Sequence, residues 1–288
     1  MTTTLPLRRF PDGTAIPALG LGTWRMGERA DQRQHETHAV REALRLGYRL
    51  IDTAEMYGEG GAETLLGTAL RQAFAAGDVR RDELTVVSKV YPHHASASGV
   101  VAACERSLRR LQLDVIDLYL LHWRGDIPLA QTLEGFSRLQ ARGLIRYWGV
   151  SNFDLDDMHE LFALPGGTQC AANQVYYSLG ARGVEFDLLP WQQQHAIPLM
   201  AYSPIDQGAL STHPVLQAVA RRHDASAAQV ALAWVLRQPG VVAIPKAVRS
   251  AHLRENLAAT SLALSAADLA ELDAAFALPT QRQSLAMI

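Results

Sequence analysis

Short apolar runs alternate along the chain with longer stretches in which apolar residues recur at helical spacing. The runs are rich in valine, isoleucine and leucine, which is typical of strands that are buried on both faces of a parallel sheet. Because each run is followed by an amphipathic stretch, the pattern predicts repeated strand–helix units. The predicted strands cover residues 18–22, 49–52, 84–89, 115–122, 145–150, 170–175, 198–202 and 241–244.

The predicted helices begin and end at residues that suit helix ends. Gly47 follows the first helix, Pro128 stands in the first turn of the fourth, and Asp154 opens the fifth. Before the first strand, Pro11-Asp12-Gly13 predicts the turn of a small hairpin over 7–16. The predicted helices cover 32–46, 62–75, 99–111, 128–142, 155–161, 184–193, 215–223, 227–237, 251–259 and 266–275.

Eight strand–helix units in about 270 residues predict an α/β fold, namely a (β/α)8 TIM barrel with an N-terminal β-hairpin. An open, doubly wound sheet is the alternative. Such a sheet usually carries a GxGxxG motif after its first strand. No GxGxxG occurs in this chain, because Gly20, Gly22 and Gly27 have other spacings.

Composition narrows the class of protein. The 288 residues are 48% hydrophobic and 19% charged, with a net charge of −2, so we expect one globular domain over 1–288. No block of like charge predicts binding to nucleic acid or to a membrane surface. The two cysteines, Cys104 and Cys170, form no CxxC motif, which suits a reducing cytoplasm. The pairs His35/His38 and His93-His94 lack a third ligand, so we predict no metal site.

Nearly every predicted strand ends at a polar or aromatic residue. Barrel enzymes carry their reactive groups at these carboxyl ends and in the loops that follow them. A ring of such residues therefore indicates an active site rather than chance. The residues are Trp24, Asp52, Lys89, His122, Ser151, Asn152, Gln174, Tyr202, Ser203 and Lys246, and Tyr57 lies in the loop after the second strand.

Four of these residues suit the protonation of an oxygen that gains negative charge. A tyrosine hydroxyl, with a pKa of about 10, is a weak acid, and a lysine beside it favours the phenolate. Asp52 would keep Lys89 charged, Tyr57 would donate the proton, and His122 would orient a carbonyl oxygen. Each residue alone has an ordinary structural explanation, such as capping for Asp52 or solvation for Lys89. Only their combination favours chemistry.

Several stretches resemble the aldo-keto reductases over nearly the whole chain. They are LGLGTW (19–24), LIDTAEMYG (50–58), VVSKV (86–90), IDLYLLHW (116–123), WGVSNF (148–153), ANQVYYS (172–178), MAYSP (200–204) and IPKA (244–247). The resemblance implies that Asp52, Tyr57, Lys89 and His122 are the catalytic tetrad. It also implies a (β/α)8 barrel that binds NADPH without a dinucleotide-binding domain, which agrees with the missing GxGxxG.

The resemblance implies a site for the nicotinamide half of the cofactor. Tyr202 would stack on the ring and leave its other face open to substrate. Side chains with amide or hydroxyl groups match the donors and acceptors of the carboxamide. The implied residues are Thr23, Trp24 and Asp52 at the ring and ribose, and Ser151, Asn152 and Gln174 at the carboxamide.

The same resemblance places the rest of the cofactor. Ser203, Pro204 and Ile205 would line the pyrophosphate passage, and Glu255 and Asn256 would meet the adenine. Lys246, Ala247 and His252 would lie at the 2′-phosphate. Many family members have serine at the position of Ala247 and arginine at that of His252. Because a neutral histidine binds phosphate less well than arginine, we expect NADPH to be preferred over NADH by a reduced margin.

Within the family, AEMYGEGGAE (54–63) and DLLPW (187–191) resemble bacterial methylglyoxal reductases. We therefore expect reduction of small aldehydes or ketones, methylglyoxal first among them, by a monomeric enzyme. The expected substrate wall consists of Trp24, Met56, Tyr91 and Trp123, with His122. No long C-terminal loop follows the last predicted helix, which favours an open pocket. Two alternatives stay open, a slow regulatory nicotinamide-binding subunit and a lyase or aldolase that uses Lys89 as a Schiff base.

Overall fold

An antiparallel hairpin comes first in the computed structural model, which describes residues 5–288. Strands β1 (Leu7–Arg9) and β2 (Ala15–Pro17) pair across the turn predicted at Pro11-Asp12-Gly13. Gly13 takes a left-handed φ of +87° there, and Asp12 accepts a hydrogen bond from the Thr14 N–H at 2.8 Å. The hairpin buries Phe10 and Ile16 against apolar residues inside the sheet, so it covers one end of it.

Eight parallel strands follow, each hydrogen-bonded to its neighbour in chain order. Their residues are almost all buried, as expected for a sheet with helices on one face and a packed interior on the other. The predicted strands are confirmed, with ends shifted by up to three residues. They are β3 (Leu21–Gly22), β4 (Leu50–Asp52), β5 (Thr85–Val90), β6 (Ile116–Leu121), β7 (Ile145–Ser151), β8 (Asn173–Tyr176), β9 (Leu199–Tyr202) and β10 (Val241–Ala243).

Hydrogen bonds between the first and last of these strands close the sheet. Leu19 bridges Ala243 and Gly22 bridges Lys246, both in parallel. Gly20 N–H donates to the Ala243 carbonyl at 2.8 Å, and Ala243 N–H donates to the Ala18 carbonyl at 2.8 Å. The (β/α)8 barrel with an N-terminal hairpin is therefore confirmed.

The helices lie around this barrel and largely follow the prediction. One differs, because the stretch predicted as a helix over 184–193 begins as a 3-10 turn at Gly183–Glu185 and restarts after Asp187, whose carboxylate accepts from the Leu188 N–H at 2.7 Å. The α-helices are α1 (Arg33–Leu46), α2 (Gly61–Ala76), α3 (Ala97–Leu111), α4 (Leu129–Ala141), α5 (Leu155–Phe162), α6 (Leu188–Gln194), α7 (Pro214–Arg222), α8 (Ala227–Leu236), α9 (Ser250–Ala259) and α10 (Ala266–Ala275).

The core has two parts. The larger part fills the space between strands and helices, and the smaller part fills the hairpin end of the barrel. Interior packing at that end leaves the carboxyl ends of the strands as the place where a ligand can enter. Among residues 5–288, no helix is long and apolar enough to cross a membrane. The smaller cluster contains Phe10, Ile16, Leu50, Val87, Leu118, Leu120, Ala171, Ala172, Met200, Val242 and Ile244.

The seam between β3 and β10 gives a test of barrel closure. A Cβ at Gly22 would lie 2.7 Å from the Ile244 carbonyl oxygen, whereas a Cβ at Gly20 would lie 2.7 Å from the Leu50 side chain and, less closely, 3.0 Å from the Leu50 carbonyl oxygen. A side chain can rotate, but the carbonyl can move only if the seam opens. We expect Gly22→Ala to lower the free energy of unfolding by about 1–3 kcal/mol, and by more than Gly20→Ala does. Urea denaturation of both variants measures this, and a Gly20→Ala protein as unstable as Gly22→Ala would contradict it.

Candidate active site

Side-chain alternation along the strands builds the site. In a strand, residues two apart point to the same face, so the polar residue two positions after an interior apolar residue also faces the barrel axis. This pattern occurs at five of the eight strands, namely β4, β5, β6, β8 and β9. The pairs are Leu50 with Asp52, Val87 with Lys89, Leu120 with His122, Ala172 with Gln174, and Met200 with Tyr202.

A fully buried ammonium group lies at the centre of the site. Lys89 Nζ donates to Asp52 Oδ2 at 2.8 Å, to the Thr53 carbonyl at 2.9 Å and to the Tyr57 hydroxyl at 3.1 Å. All three protons of the ammonium are thus directed at oxygen atoms. The structure thus brings together three of the four residues that the sequence predicts for catalysis, namely Asp52, Tyr57 and Lys89.

The charges of this group depend on one another. Burial alone would lower the pKa of Lys89, but the nearby Asp52 and Tyr57 outweigh it, and the pKa is raised. Burial raises the pKa of the Tyr57 hydroxyl, while the Lys89 ammonium acts in the opposite direction. Tyr57 is therefore protonated at neutral pH. Lys89 does act to lower the Tyr57 pKa, as the sequence predicts, but burial is the larger effect and the net shift is upward.

His122 completes the group from the next strand. Its ring lies 5.8 Å from the Tyr57 ring, edge to face at 74°. Burial, and secondarily Lys89, hold the pKa of His122 well below its usual value, so the ring is neutral. Its Nδ1 is buried without a hydrogen-bond partner in the described part of the chain, and an unprotonated Nδ1 costs less there than an N–H. Nε2 is then the nitrogen that can donate to a substrate oxygen.

The other carboxylate oxygen of Asp52 orients the side-chain amide of Gln174. Gln174 Nε2 donates to Asp52 Oδ1 at 2.8 Å, and since a carboxylate only accepts, the Gln174 carbonyl oxygen must point elsewhere. The Ser151 hydroxyl donates to the Gln174 main-chain carbonyl at 2.8 Å. Gln174 Oε1 and a lone pair of Ser151 Oγ are thus available to an amide NH₂.

Asn152 supplies the complementary donor. Its Nδ2 lies 3.1 Å from the His122 carbonyl and 3.3 Å from Ser151 Oγ, while its Oδ1 accepts from the Tyr202 hydroxyl at 3.0 Å. The longer of the Nδ2 bonds can be given up to a ligand carbonyl at little cost. The three side chains predicted at a carboxamide therefore offer two acceptors and one donor in one place, which is what a carboxamide requires.

Two residues at this part of the barrel mouth have a left-handed backbone conformation. Asn152 has φ +57° and Ser203 has φ +46°, at the ends of β7 and β9. Residues other than glycine adopt this region at a cost of roughly 1 kcal/mol or more, and such strain clusters at functional sites. Pro204, which follows Ser203, is buried, and Ile205 is half-buried. Their role at the pyrophosphate stays a prediction.

Aromatic residues stand beside the tetrad, as predicted for a substrate wall. The Tyr91 and Trp123 rings meet at 90° with centroids 5.9 Å apart, and the Trp123 ring lies 5.0 Å from that of His122. Trp24 is half-buried with the Arg25 guanidinium 4.4 Å from its ring, and Met56 is also half-buried. Buried Thr23 donates to the Asp52 main-chain carbonyl at 3.0 Å.

The residues predicted at the adenosine end of the cofactor differ in their exposure. Lys246 and His252 are exposed, whereas Ala247 and Asn256 are buried and Glu255 is half-buried. Asn256 lies against the Tyr48 hydroxyl rather than turning fully outward. The roles predicted for these residues stay predictions.

The sequence did not reveal the course of the C-terminal segment. Arg282 Nη2 lies 2.9 Å from Asp156 and 3.5 Å from Asp154, and its Nε lies 3.3 Å from Asp187. Beneath this segment is a cavity of about 310 Å³ that Tyr176 and Leu285 help to line. The segment ends with the Ile288 N–H at the Tyr202 hydroxyl. The pocket is therefore less open than expected on this side.

Comparison with known proteins agrees with this geometry. The model of the Aldo/keto reductase family matches residues 18–277. The chain is 49% identical over 285 residues to methylglyoxal reductase YeaE of Escherichia coli, covering 97% of this chain and 98% of that protein. It is 35% identical over 266 residues to a glyoxal reductase of Bacillus subtilis, covering 92% and 91%.

A solved structure extends the agreement to the whole fold. An aldo-keto reductase from Klebsiella pneumoniae, crystallised in complex with NADPH, superposes with a TM-score of 0.94 at 48% identity, covering 99% of this chain and 100% of that one. A barrel without a dinucleotide-binding domain, a buried Asp–Lys–Tyr group at its mouth and a family match over most of the chain lead to one conclusion. This chain belongs to the aldo/keto reductase family.

Proposed function

We propose that this protein reduces small aldehydes and ketones to alcohols with NADPH. The observation that carries the proposal is the Lys89 ammonium held between Asp52 and the Tyr57 hydroxyl. When bound, NADPH supplies a hydride to the carbonyl carbon. Tyr57 donates a proton to the carbonyl oxygen, Lys89 stabilises the phenolate that this leaves, and Asp52 keeps Lys89 charged. His122 donates a hydrogen bond from Nε2 and orients the carbonyl.

The residues at the mouth fit the cofactor. Gln174 and Ser151 accept from a carboxamide NH₂, Asn152 donates to its oxygen, and Tyr202 forms the platform for the ring. At the opposite end, Lys246, Arg249 and His252 are exposed, and none of them forms an ion pair among residues 5–288. Exposed basic side chains such as Lys246 and Arg249 suit the 2′-phosphate that distinguishes NADPH from NADH. NADH would bind as the weaker alternative.

The proposed substrate is a small 2-oxoaldehyde such as methylglyoxal. The pocket beside His122 is lined by half-buried aromatic side chains, Tyr91 and Trp123 among them, which suit a small substrate. The names of two relatives, a methylglyoxal reductase and a glyoxal reductase, support this choice.

A Schiff-base mechanism at Lys89 finds no support in this geometry. A Schiff-base lysine must be a free amine that can attack a carbonyl carbon. Lys89 instead has a raised pKa, and its three protons are directed at Asp52, Thr53 and Tyr57. The lysine therefore acts as a fixed cation.

We also propose that the protein is a cytoplasmic monomer with one domain over 1–288. Cys104 and Cys170 are both free and buried, which suits a reducing compartment. The large apolar side chains that are exposed among residues 5–288 are few, namely Leu7, Phe186, Leu278, Met287 and Ile288. Gel filtration at several concentrations tests the oligomeric state.

The function itself is tested with purified protein, NADPH and methylglyoxal. We expect NADPH absorbance to fall only when both substrates are present, and Lys89→Met to lose nearly all of this activity, because the phenolate loses its cation. Borohydride treatment in the presence of substrate tests the alternative in which Lys89 forms a Schiff base. Covalent trapping on Lys89 would instead establish the lyase or aldolase alternative, and tight NADPH binding without turnover would establish the regulatory one.

Tyr57→Phe removes the proton donor and keeps the ring. We expect kcat to fall by roughly 100-fold or more, since general acid catalysis contributes that much, while the Kd for NADPH from fluorescence titration stays unchanged. The wild-type rate should be flat through neutral pH and fall at alkaline pH. The sign follows because the reaction needs protonated Tyr57 and burial raises its pKa. Near-normal turnover by Tyr57→Phe would refute this assignment.

His252→Arg tests recognition of the phosphate. Exposed His252 lies on the surface of α9 near exposed Lys246 and Arg249 in sequence. Arginine adds a permanent charge worth about 1.5 kcal/mol or more, so the KM for NADPH should fall roughly tenfold while that for NADH changes little.

His195→Arg, at the exposed end of α6, is the control for added surface charge. It should leave both KM values unchanged. If His252→Arg changes both cofactors equally, position 252 does not contact the phosphate.

A further inference from the structure

A second buried carboxylate lies in the same loop as Tyr57 and takes no part in the mechanism above. Glu55 is only 5% exposed, and it stands three residues after Asp52 and two before Tyr57. A buried carboxylate is costly unless it is paired and hydrogen-bonded. The partners of Glu55 therefore show what its burial achieves.

These partners come from the next strand exit. Glu55 Oε1 accepts from the Tyr91 main-chain N–H at 2.8 Å and lies 3.0 Å from His94 Nδ1. Its Oε2 lies 3.4 Å from Arg106 Nη2, on α3. The short bond to the main chain of Tyr91 is the strongest of these contacts by geometry, and the arginine contact is long and half-exposed.

Tyr57 and Glu55 each contribute one of the links that join these two segments. Lys89 Nζ donates to the Tyr57 hydroxyl at 3.1 Å, and the Tyr91 main-chain N–H donates to the Glu55 carboxylate at 2.8 Å. The two bonds are therefore two residues apart on both segments. A third contact, from the Tyr91 hydroxyl to Glu59 at 3.0 Å, lies on the exposed side. The bond from Lys89 Nζ to the Thr53 carbonyl and the main-chain bond from the Glu55 N–H to the Lys89 carbonyl at 3.3 Å also join these segments, but both act on Lys89 itself. The Glu55 carboxylate instead holds main chain beyond Lys89, at Tyr91, and it is buried.

The charge of Glu55 is directed away from the reacting group. His94 and Arg106 lie beside its carboxylate, and the charges that act on the Tyr57 hydroxyl are those of Lys89 and Asp52. An effect of Glu55 on the reaction must therefore pass through geometry.

We propose that Glu55 is a positioning residue, which holds the Tyr91 main-chain N–H and so fixes the Tyr57 loop against the strand end that carries Lys89. The same bond sets Tyr91 against Trp123 in the substrate wall. This inference rests on the proposed carbonyl reduction, because it concerns the distance between the proton donor and its cation. A displacement of about 1 Å at a reacting group can cost up to 100-fold in rate.

Two substitutions separate position from charge. Glu55→Gln keeps the reach of the side chain, and its amide oxygen can still accept from Tyr91 N–H. Glu55→Asp keeps the charge and shortens the side chain by one bond of about 1.5 Å. If Glu55 acts by position, Glu55→Gln should keep kcat within about threefold of wild type, whereas Glu55→Asp should lose tenfold or more. The reverse order, with Asp active and Gln impaired, would overturn the proposal.

The fold provides a matched control at the opposite end of β5. Asp117 is also 5% exposed, accepts from the Val86 main-chain N–H at 2.8 Å, and pairs with Arg81 and Arg146. Asp117→Ala therefore removes an equivalent buried carboxylate far from Tyr57. It should lower Tm as Glu55→Ala does, yet leave kcat unchanged, while Glu55→Ala lowers kcat at least tenfold with the Kd for NADPH unaltered. Equal losses of kcat in the two alanine variants would reduce Glu55 to a structural role.

Wild type is measured first with NADPH and methylglyoxal. An inactive wild type would refute both the proposed function and this inference. If wild type is active and Glu55→Asp is equally active, only the inference is refuted. If Glu55→Ala does not fold, comparing the kcat of Glu55→Gln with that of Glu55→Asp still tests the inference.

Discussion

A lysine ammonium that is completely buried is the constraint on which the site depends. Moving such a charge out of water costs several kcal/mol, and removing one partner of a buried pair costs about 3–5 kcal/mol because the other charge is left unpaired. Lys89 is stable there only because β4 ends beside β5 in a register that brings Asp52 and the Thr53 carbonyl to it. Barrel closure, strand register and the loop that carries Tyr57 must all be correct for this one ion to be satisfied.

The residues around the ion are linked rather than independent. Asp52 uses one oxygen for Lys89 and the other for Gln174, so the group that holds the proton-donor system also orients the amide at the proposed carboxamide site. Asn152 connects that site to the His122 main chain and to Tyr202. The same few hydrogen bonds therefore set the positions of both reaction partners.

The sequence predicted these features where a local rule applies. Alternation of two fixes which residues face the barrel axis, so Asp52, Lys89, His122 and Gln174 could be found from strand ends alone. The restart of α6 after Asp187 was missed, because helical periodicity continues across the 3-10 turn at Gly183–Glu185. Glu55 and Arg282 were missed for a different reason. Their partners are distant in sequence, Tyr91 for Glu55 and Asp156 and Asp187 for Arg282, and no spacing in the chain encodes such contacts.

The acidity of Tyr57 shows why residue types predict the kind of chemistry more readily than the size of a pKa shift. A lysine beside a tyrosine suggests a lowered pKa, yet burial of the phenol is the larger effect and raises it. The two effects serve different stages of the reaction. In the ground state the phenol is neutral, and its hydrogen bond to Lys89 at 3.1 Å is modest. As the proton leaves, charge develops on the phenol oxygen next to a fixed and fully buried ammonium, and this attraction is stronger than that between two charges in water. Lys89 therefore stabilises the transition state more than the ground state, which is the condition for an interaction to accelerate a reaction.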